Sequence, residues 1–303
     1  MAHLPKDSFA DADFNSKKSY MQVRRQRRRI TWTRFHLSRE QDWPRWTMAG
    51  DSKSDDATFL GPLTGVEGCE KVWLGRQVED PEKAALIVLW ESAPALEMFE
   101  ASPLCGEFLR GLGCKDDDPL QTLLVSFQWD AGFWFGDDLY GRVTRTTLVI
   151  PYTGLPEREA WGFKIGVSFN GFMPAGCEAL RLSLPRPFGW QAFAWVDTVK
   201  QALALKDMVK QAQPSAVTGG AEQQRDVGDQ EKAVGYHFFR WNGNDASPER
   251  EDATARDPKA KESWDKTLAK TMPPVSFWEQ ERWGVELAPC YRVEPASEDE
   301  EED

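Results

Sequence analysis

The stretch LIVLWESAPALEMFEASP, Leu86 to Pro103, constrains this chain more than any other. It opens as an unbroken apolar run of the kind a doubly buried strand carries, then turns at Glu91-Ser92 into the spacing of an amphipathic helix. A short acidic-hydroxyl pair suits that point. Its oxygens accept hydrogen bonds from the free amides of the first helical turn, and its charge complements the helix dipole. Leu96 and Phe99, then Phe108, Leu109 and Leu112 after Pro103, give an interrupted apolar stripe. A buried strand that runs straight into a helix needs a sheet with a helical layer against it, which is an α+β arrangement.

The order of elements reads twice. In the first half Arg29–Ser38 alternates like a strand, Gly68–Val78 and Lys83–Glu91 read as a hairpin, and Thr122–Asp130 closes the unit. In the second half Val143–Tyr152 opens, Gly176–Leu184 and Trp190–Asp197 are expected as the middle pair, and Ser276–Leu287 closes. Gly68-Cys69-Glu70 recurs as Gly176-Cys177-Glu178, and Glu91-Ser92 is matched by Asp197-Thr198. Trp161, Ile165, Ser168, Phe169 and Phe172 share one face of a helix entered through Pro156, and Val199, Ala202, Leu203 and Met208 line a second. The segment between Asp42 and Gly65 is broken by Pro44, Gly50 and Gly61, so its helix is short or irregular. Each half therefore reads β-α-β-β-α-β, the ferredoxin-like unit. Two such units in one chain bury their open sheet faces against each other as an internal pseudo-dimeric α+β barrel.

The expected organisation is a polar tail over residues 1–28, a first repeat over 29–140, a second over 141–296, and an acidic tail over 297–303. The second repeat carries a polar insertion at about 211–261, interrupted by the apolar patch Val234–Trp241, which is expected to dock as a strand or short ordered piece.

Charge narrows the function. With 37 Lys plus Arg against 49 Asp plus Glu, the net charge is −12, which works against nucleic acid or anionic membrane as partner. The run Arg24–Arg29 reads as a solvated lead-in or as a targeting signal. No apolar leader and no span of membrane length appears, so a cytoplasmic protein is expected. Five cysteines without a CxxC pair suggest neither a disulfide framework nor a zinc site. No phosphate-binding glycine loop and no nucleophile elbow is present, and no metal or cofactor is expected.

The segment ALIVLWESAPALEMFEASPLCGEFLRGL, within residues 84–112, resembles the strand-turn-helix signature of the dimeric α+β barrel superfamily, near the antibiotic-biosynthesis-monooxygenase-like and stress-responsive barrel proteins. That resemblance implies a barrel acting on or binding a hydrophobic aromatic or polyketide-like small molecule, as a cofactor-independent monooxygenase or cyclase. It equally admits a non-catalytic protein of binding or assembly, as monomer or homodimer. Haem-degrading relatives need a helical histidine, and the expected helices hold none.

The candidate catalytic pair is His36 as acid/base and Arg34 as stabiliser of an enolate or phenolate, both on the face of the first strand that also carries Ile30 and Trp32. The bland alternative for His36 is a surface or satisfied core histidine. Trp32, Trp73, Trp129, Gln128, Arg181 and Trp195 are the pocket candidates. The same tryptophans could simply fill the barrel, and Glu279, Glu281 and Ser126 share those strands as polar residues.

Overall fold

A computed structural model of the chain describes residues 28–44, 46, 59–112, 123–129, 141–151, 188–196, 232–241, 248–269, 275 and 277–291. Eight strands are placed: β1 (Arg29–His36), β2 (Cys69–Gln77), β3 (Lys83–Trp90), β4 (Leu123–Trp129), β5 (Gly141–Pro151), β6 (Phe188–Val196), β7 (Lys232–Trp241) and β8 (Phe277–Leu287). Four helices accompany them, α1 (Ala93–Glu100) and α2 (Pro103–Gly111) after β3, and α3 (Pro248–Arg256) and α4 (Pro258–Ala269) after β7. A 3₁₀ turn, Gly61–Leu63, precedes β2.

Every ladder is antiparallel, and the strands close into a barrel in the order β1-β3-β2-β8-β5-β7-β6-β4. The first four strands thus stand side by side as β4-β1-β3-β2 and the last four as β8-β5-β7-β6. Closure matters because it leaves no unpaired sheet edge along most of the wall. The β2–β8 ladder spans only Trp73–Gln77 against Leu287–Trp283, whereas β5 follows β8 from Phe277 to Val285. The first turn of β8 therefore has a strand on one side only, with Val78 N donating to Arg282 O at 2.8 Å where β2 ends.

The strand-to-helix switch behaves as the sequence demands. Ser92 is the N-cap of α1 and its side chain accepts from Ala95 N at 3.4 Å, with Pro94 in the first turn. Two residue sets separate on the two faces of the sheet. Ile30, Trp32, Trp73, Ala85, Ile87, Leu89, Tyr236, Phe238 and Trp283 fill the inside of the barrel. Leu74, Leu86, Val88 and Trp90 face outward onto Leu96 and Phe99 of α1 and Cys105 and Phe108 of α2. Trp90 is pinned there, its Nε1 donating to Thr31 Oγ1 at 3.0 Å and its ring 4.9 Å from Phe99. Gly75 is spared a side chain for a reason: a Cβ there would stand 3.3 Å from the Trp283 indole inside the barrel.

Two expectations need correction. The partner of the strand at Trp190–Asp197 is not Gly176–Leu184, which lies outside the described residues; β6 pairs with β7, from Phe188 opposite Trp241 to Trp195 opposite Gly235. The patch Val234–Trp241 docks as a strand, one of the two outcomes expected for it, and stands in the wall between β5 and β6; the polar stretch after it forms α3 and the start of α4 where an insertion was expected. Polar composition misled because, among the described residues, these helices bury Glu251 and Thr254 alongside Ala260 and Leu268, so their inward side is not marked by an apolar stripe. The expected helices at 157–172 and 198–208 fall outside the described residues.

Candidate functional site

Inside the barrel, β1, β5 and β8 bring charges together. Arg145 on β5 stands opposite Glu281 on β8 in the ladder, and its Nη2 donates to Glu281 Oε2. Arg34 Nη2 lies 3.2 Å from Glu281 Oε1. The Arg145 guanidinium is enclosed by aromatic rings, with Cζ 4.8 Å from the Trp32 and Tyr236 centroids and 5.6 Å from that of Trp283. Burial pushes the Glu281 carboxyl up, but Arg145 and Arg34 together outweigh it and hold the group below the ordinary range. This carboxylate stays ionised. Burial raises the Tyr236 phenol, which keeps it protonated. The cluster is enclosed by Trp32, Trp283 and Phe238, each fully buried, so it is a buried ion cluster filling the barrel, with Arg34 at its partly exposed end.

The cavity lies elsewhere. Between the outer face of β5, β7 and β8 and the helices α3 and α4 is a half-open space of about 340 Å³. Its floor is Thr144, Phe239, Glu251 and Arg282, all buried; its rim carries Glu279, Gln280 and Lys261, all exposed, and Trp278 stands beside them. A network of ion pairs fastens α3 to the wall. Arg282 Nε lies 2.6 Å from Glu79 Oε1 and its Nη1 2.5 Å from Asp252 Oδ1. Arg142 Nη1 reaches Asp252 Oδ1 at 3.0 Å and Glu251 Oε2 at 3.4 Å. Trp278 is held from the helix side, its Nε1 donating to Asp265 Oδ1 at 2.6 Å, and Lys261 Nζ sits 5.9 Å from its ring.

Two carboxyls are pushed up, Glu251 on this cavity and Glu279 on the other face of β8, toward the barrel interior. For Glu251 the cause is burial, which Arg142 and Arg282 only partly offset. For Glu279 it is again burial of the carboxyl, reinforced by the negative charge of Glu281 two residues along the same strand. Asp252 is held below its usual range, first by the hydrogen bond from Arg282. A cavity with a protonatable carboxyl, Glu251, beside aromatic rings is able to bind a small organic molecule and to accept a proton from it. Among the described residues no group of three His, Cys, Asp or Glu is placed to hold a metal ion, and no helix is long and apolar enough to cross a membrane.

The sequence candidates distribute unevenly over these two places. Arg34 is in the interior ion cluster. His36 continues the inward face of β1 but is exposed, because the strand ends there opposite Lys83; the expectation of a histidine inside a cavity is corrected. Nor is it the sole histidine of the framework, since His237 is buried on β7, where loss of solvation pushes it down to about 3. Trp32 and Trp73 are packed inside the barrel and Trp195 is buried on the face opposite Ala194 and Val196, so none of these lines the cavity. Gln128 and Trp129 lie on β4, where only the backbone is described, and Arg181 lies outside the described residues. Sequence reading missed Glu251, Thr254 and Lys261, having placed them in an insertion. The paired prolines were the available signal: Pro94 and Pro103 open the two helices after β3, and Pro248 and Pro258 open the two after β7.

The fold and site define a mixed α+β protein with an antiparallel barrel. No protein-family model matches the chain, and no curated protein matches it. Solved structures to which it is similar include an anthrone oxidase-like protein, at 13% identity and TM-score 0.48 over 87% of this chain and 94% of that one. A proposed monooxygenase from Lactobacillus acidophilus NCFM follows at 10% identity and TM-score 0.38, over 86% of this chain and 96% of that one. Another, from Fusobacterium nucleatum, has 9% identity and TM-score 0.34, over 86% and 94%. Likenesses this remote assign no activity.

Proposed function

We propose that this chain is a barrel of two fused ferredoxin-like repeats, related to the dimeric α+β barrel superfamily, that binds a hydrophobic aromatic or polyketide-like small molecule between its second repeat's sheet and helices α3–α4. The repeat reading is supported by the matching orders β4-β1-β3-β2 and β8-β5-β7-β6 and by a proline-opened helix pair after both β3 and β7. The functional reading is carried by one observation: Glu251, held above the ordinary carboxyl range, lines one cavity with Phe239 and Trp278. The aromatic rings offer a flat ligand its contact area, and a carboxylate whose basicity is raised is the proton acceptor that cofactor-independent oxygenation or cyclisation of an acidic carbon requires. In this scheme Glu251 on the cavity floor takes the proton, and the His36 role is set aside because that residue is exposed at a strand end.

A second reading, a non-catalytic binding or assembly protein, is favoured by the barrel interior, which is filled by Trp32, Trp73, Phe238 and Trp283. Native mass spectrometry of the chain purified from its own host separates the readings. A retained aromatic molecule that Glu251→Gln still binds but no longer converts supports catalysis. A molecule that neither protein converts supports binding alone, and no retained or rebinding molecule contradicts a small-molecule role.

A further inference from the structure

Resting on the small-molecule reading, the polar groups of the cavity also specify what kind of molecule fits it. The charged side chains that line it are matched among themselves. Glu79 and Glu251 stand against Arg282 and Lys261, and behind them Asp252 stands against Arg142. Arg282 holds Glu79 through Nε and Asp252 through Nη1, Arg142 Nη1 reaches both Asp252 and Glu251, and Lys261 Nζ lies over the Trp278 ring. Glu279 leaves this balance alone, because its carboxyl is on the inward face of β8, where Glu281, Arg34 and Arg145 act on it. With Glu251 ionised, as the proton acceptor of this reading must be, a charged group on a ligand would enter a partly desolvated space in which no opposite charge is left to receive it.

A neutral group on the floor is left open. Thr144 on β5 is 4% exposed, and its ladder neighbours, Phe239 on one side and Arg282 on the other, put it in the middle of the floor. Among the described residues its Oγ1 has no hydrogen-bond partner, and unlike the Oγ1 atoms of Thr33 and Thr146 it is not sealed from solvent, so it opens onto the cavity that Thr144 lines. A hydroxyl both donates and accepts. Gln280, exposed at the rim, carries a carboxamide with the same double capacity. Gln280 stands opposite Thr146, two residues along β5 from Thr144, so the hydroxyl and the carboxamide share the outer face of the wall one diagonal step apart. A ligand head with a donor and an acceptor on neighbouring atoms reaches both, and it carries no charge into the matched set.

We propose that the ligand is an uncharged aromatic carboxamide, whose carbonyl accepts from Thr144 Oγ1 and whose N–H donates to the Gln280 side chain, while its ring lies against Phe239 and Trp278. The test is isothermal titration of the full chain at neutral pH with phenylacetamide, 2-phenylethanol, phenylacetate and phenethylamine, probes of similar body that differ in head group. Phenylacetamide is expected to bind most tightly, by about fivefold over the alcohol, which has one atom to share between the two partners, and by at least about tenfold over the anion and the cation. Thr144→Val keeps the shape of the side chain and removes the hydroxyl. It should weaken phenylacetamide by about fivefold and leave the two ions where they were, whereas damage to the cavity as a whole would weaken all four probes alike. If the alcohol or either ion binds the wild-type protein as tightly as the amide, or if Thr144→Val leaves the amide unchanged or weakens all four probes equally, this inference is overturned and the small-molecule reading stands. If none of the four binds, both fall.

Discussion

Both halves of the sheet carry a pair of proline-opened helices on the outer face, yet one of these layers is solid and the other is hollow. Under α1 and α2, Leu96, Phe99, Cys105 and Phe108 interleave with Leu86, Val88 and Trp90, and the Phe99 and Phe108 rings meet edge to face at 5.9 Å. Under α3 and α4 the described buried positions are Glu251, Thr254, Ala260 and Leu268. PEREDATAR and PKAKESWDKTLA hold the wall through ion pairs of Arg142 and Arg282 with α3 as well as through these buried positions, and the cavity lies between helices and wall. The difference teaches that one sheet can carry a solid layer on one stretch of its outer face and a cavity on another, according to what its helices present.

That contrast is open to attack at several strengths. Trp90→Ala should cost the most, about 3 to 5 kcal/mol in denaturant unfolding, because it opens a void in the solid layer and removes the donor to Thr31. An effect below about 1 kcal/mol would mean that this layer is not packed as described. Arg145→Met should cost roughly 3 kcal/mol, since Glu281 would keep only the partly exposed Arg34 as partner inside the barrel. The melting temperature of a variant that is no less stable would mark the interior charges as dispensable.

Acid should act through His237. Its folded pKa, about 3, lies below its ordinary value near 6.5, so between these limits the unfolded chain binds more protons than the native one. The stability it contributes is therefore full above pH 6.5 and is lost as pH falls toward 3, by up to about 1.4 kcal/mol per pH unit. Glu281, held low, contributes in the same direction at lower pH, whereas Glu251 and Glu279, held high, contribute in the opposite one as pH rises above the ordinary carboxyl value. Comparing wild type with His237→Phe cancels the shared carboxyls; the variant should lose less stability between pH 6.5 and 4. Parallel acid limbs would refute the burial of this imidazole. The smallest effect on stability is expected from Ala260→Phe, within about 1 kcal/mol, because α4 has space beneath it; the same change should abolish ligand binding by filling the cavity.

Strands were legible in this sequence wherever apolar runs were long or alternating: β1 to β6 and β8 fall within two residues of where hydrophobic patterning puts them. The cap at Ser92 was legible too, since capping is local chemistry. What could not be read was which strands correspond between the halves. The doublet Gly68-Cys69-Glu70 drew the second copy toward Gly176, but Gly68 owes its place to a turn with φ +77° packed against Ala95, a requirement that many turns share. That Val234–Trp241 docks as a strand or ordered piece was legible from its apolar run, but its place in the wall between β5 and β6 was not, because polar segments flank it on both sides, and α3 and α4 were read as part of a polar insertion because their composition is highly charged. The candidate site was hidden for the same reason. Its floor joins Thr144, Phe239, Glu251 and Arg282 from four separate elements, and His36 drew attention only because histidine is scarce in this chain.

The measurement that bears most directly on the difference between the two layers is a crystal structure of the protein soaked with indole, a small neutral aromatic able to enter either compartment. Electron density for indole against Phe239 and Trp278, with none under α1 and α2, is the predicted result. Helices α3 and α4 closed onto the wall with no space for indole, or indole seated inside the barrel beside Arg34, would contradict it.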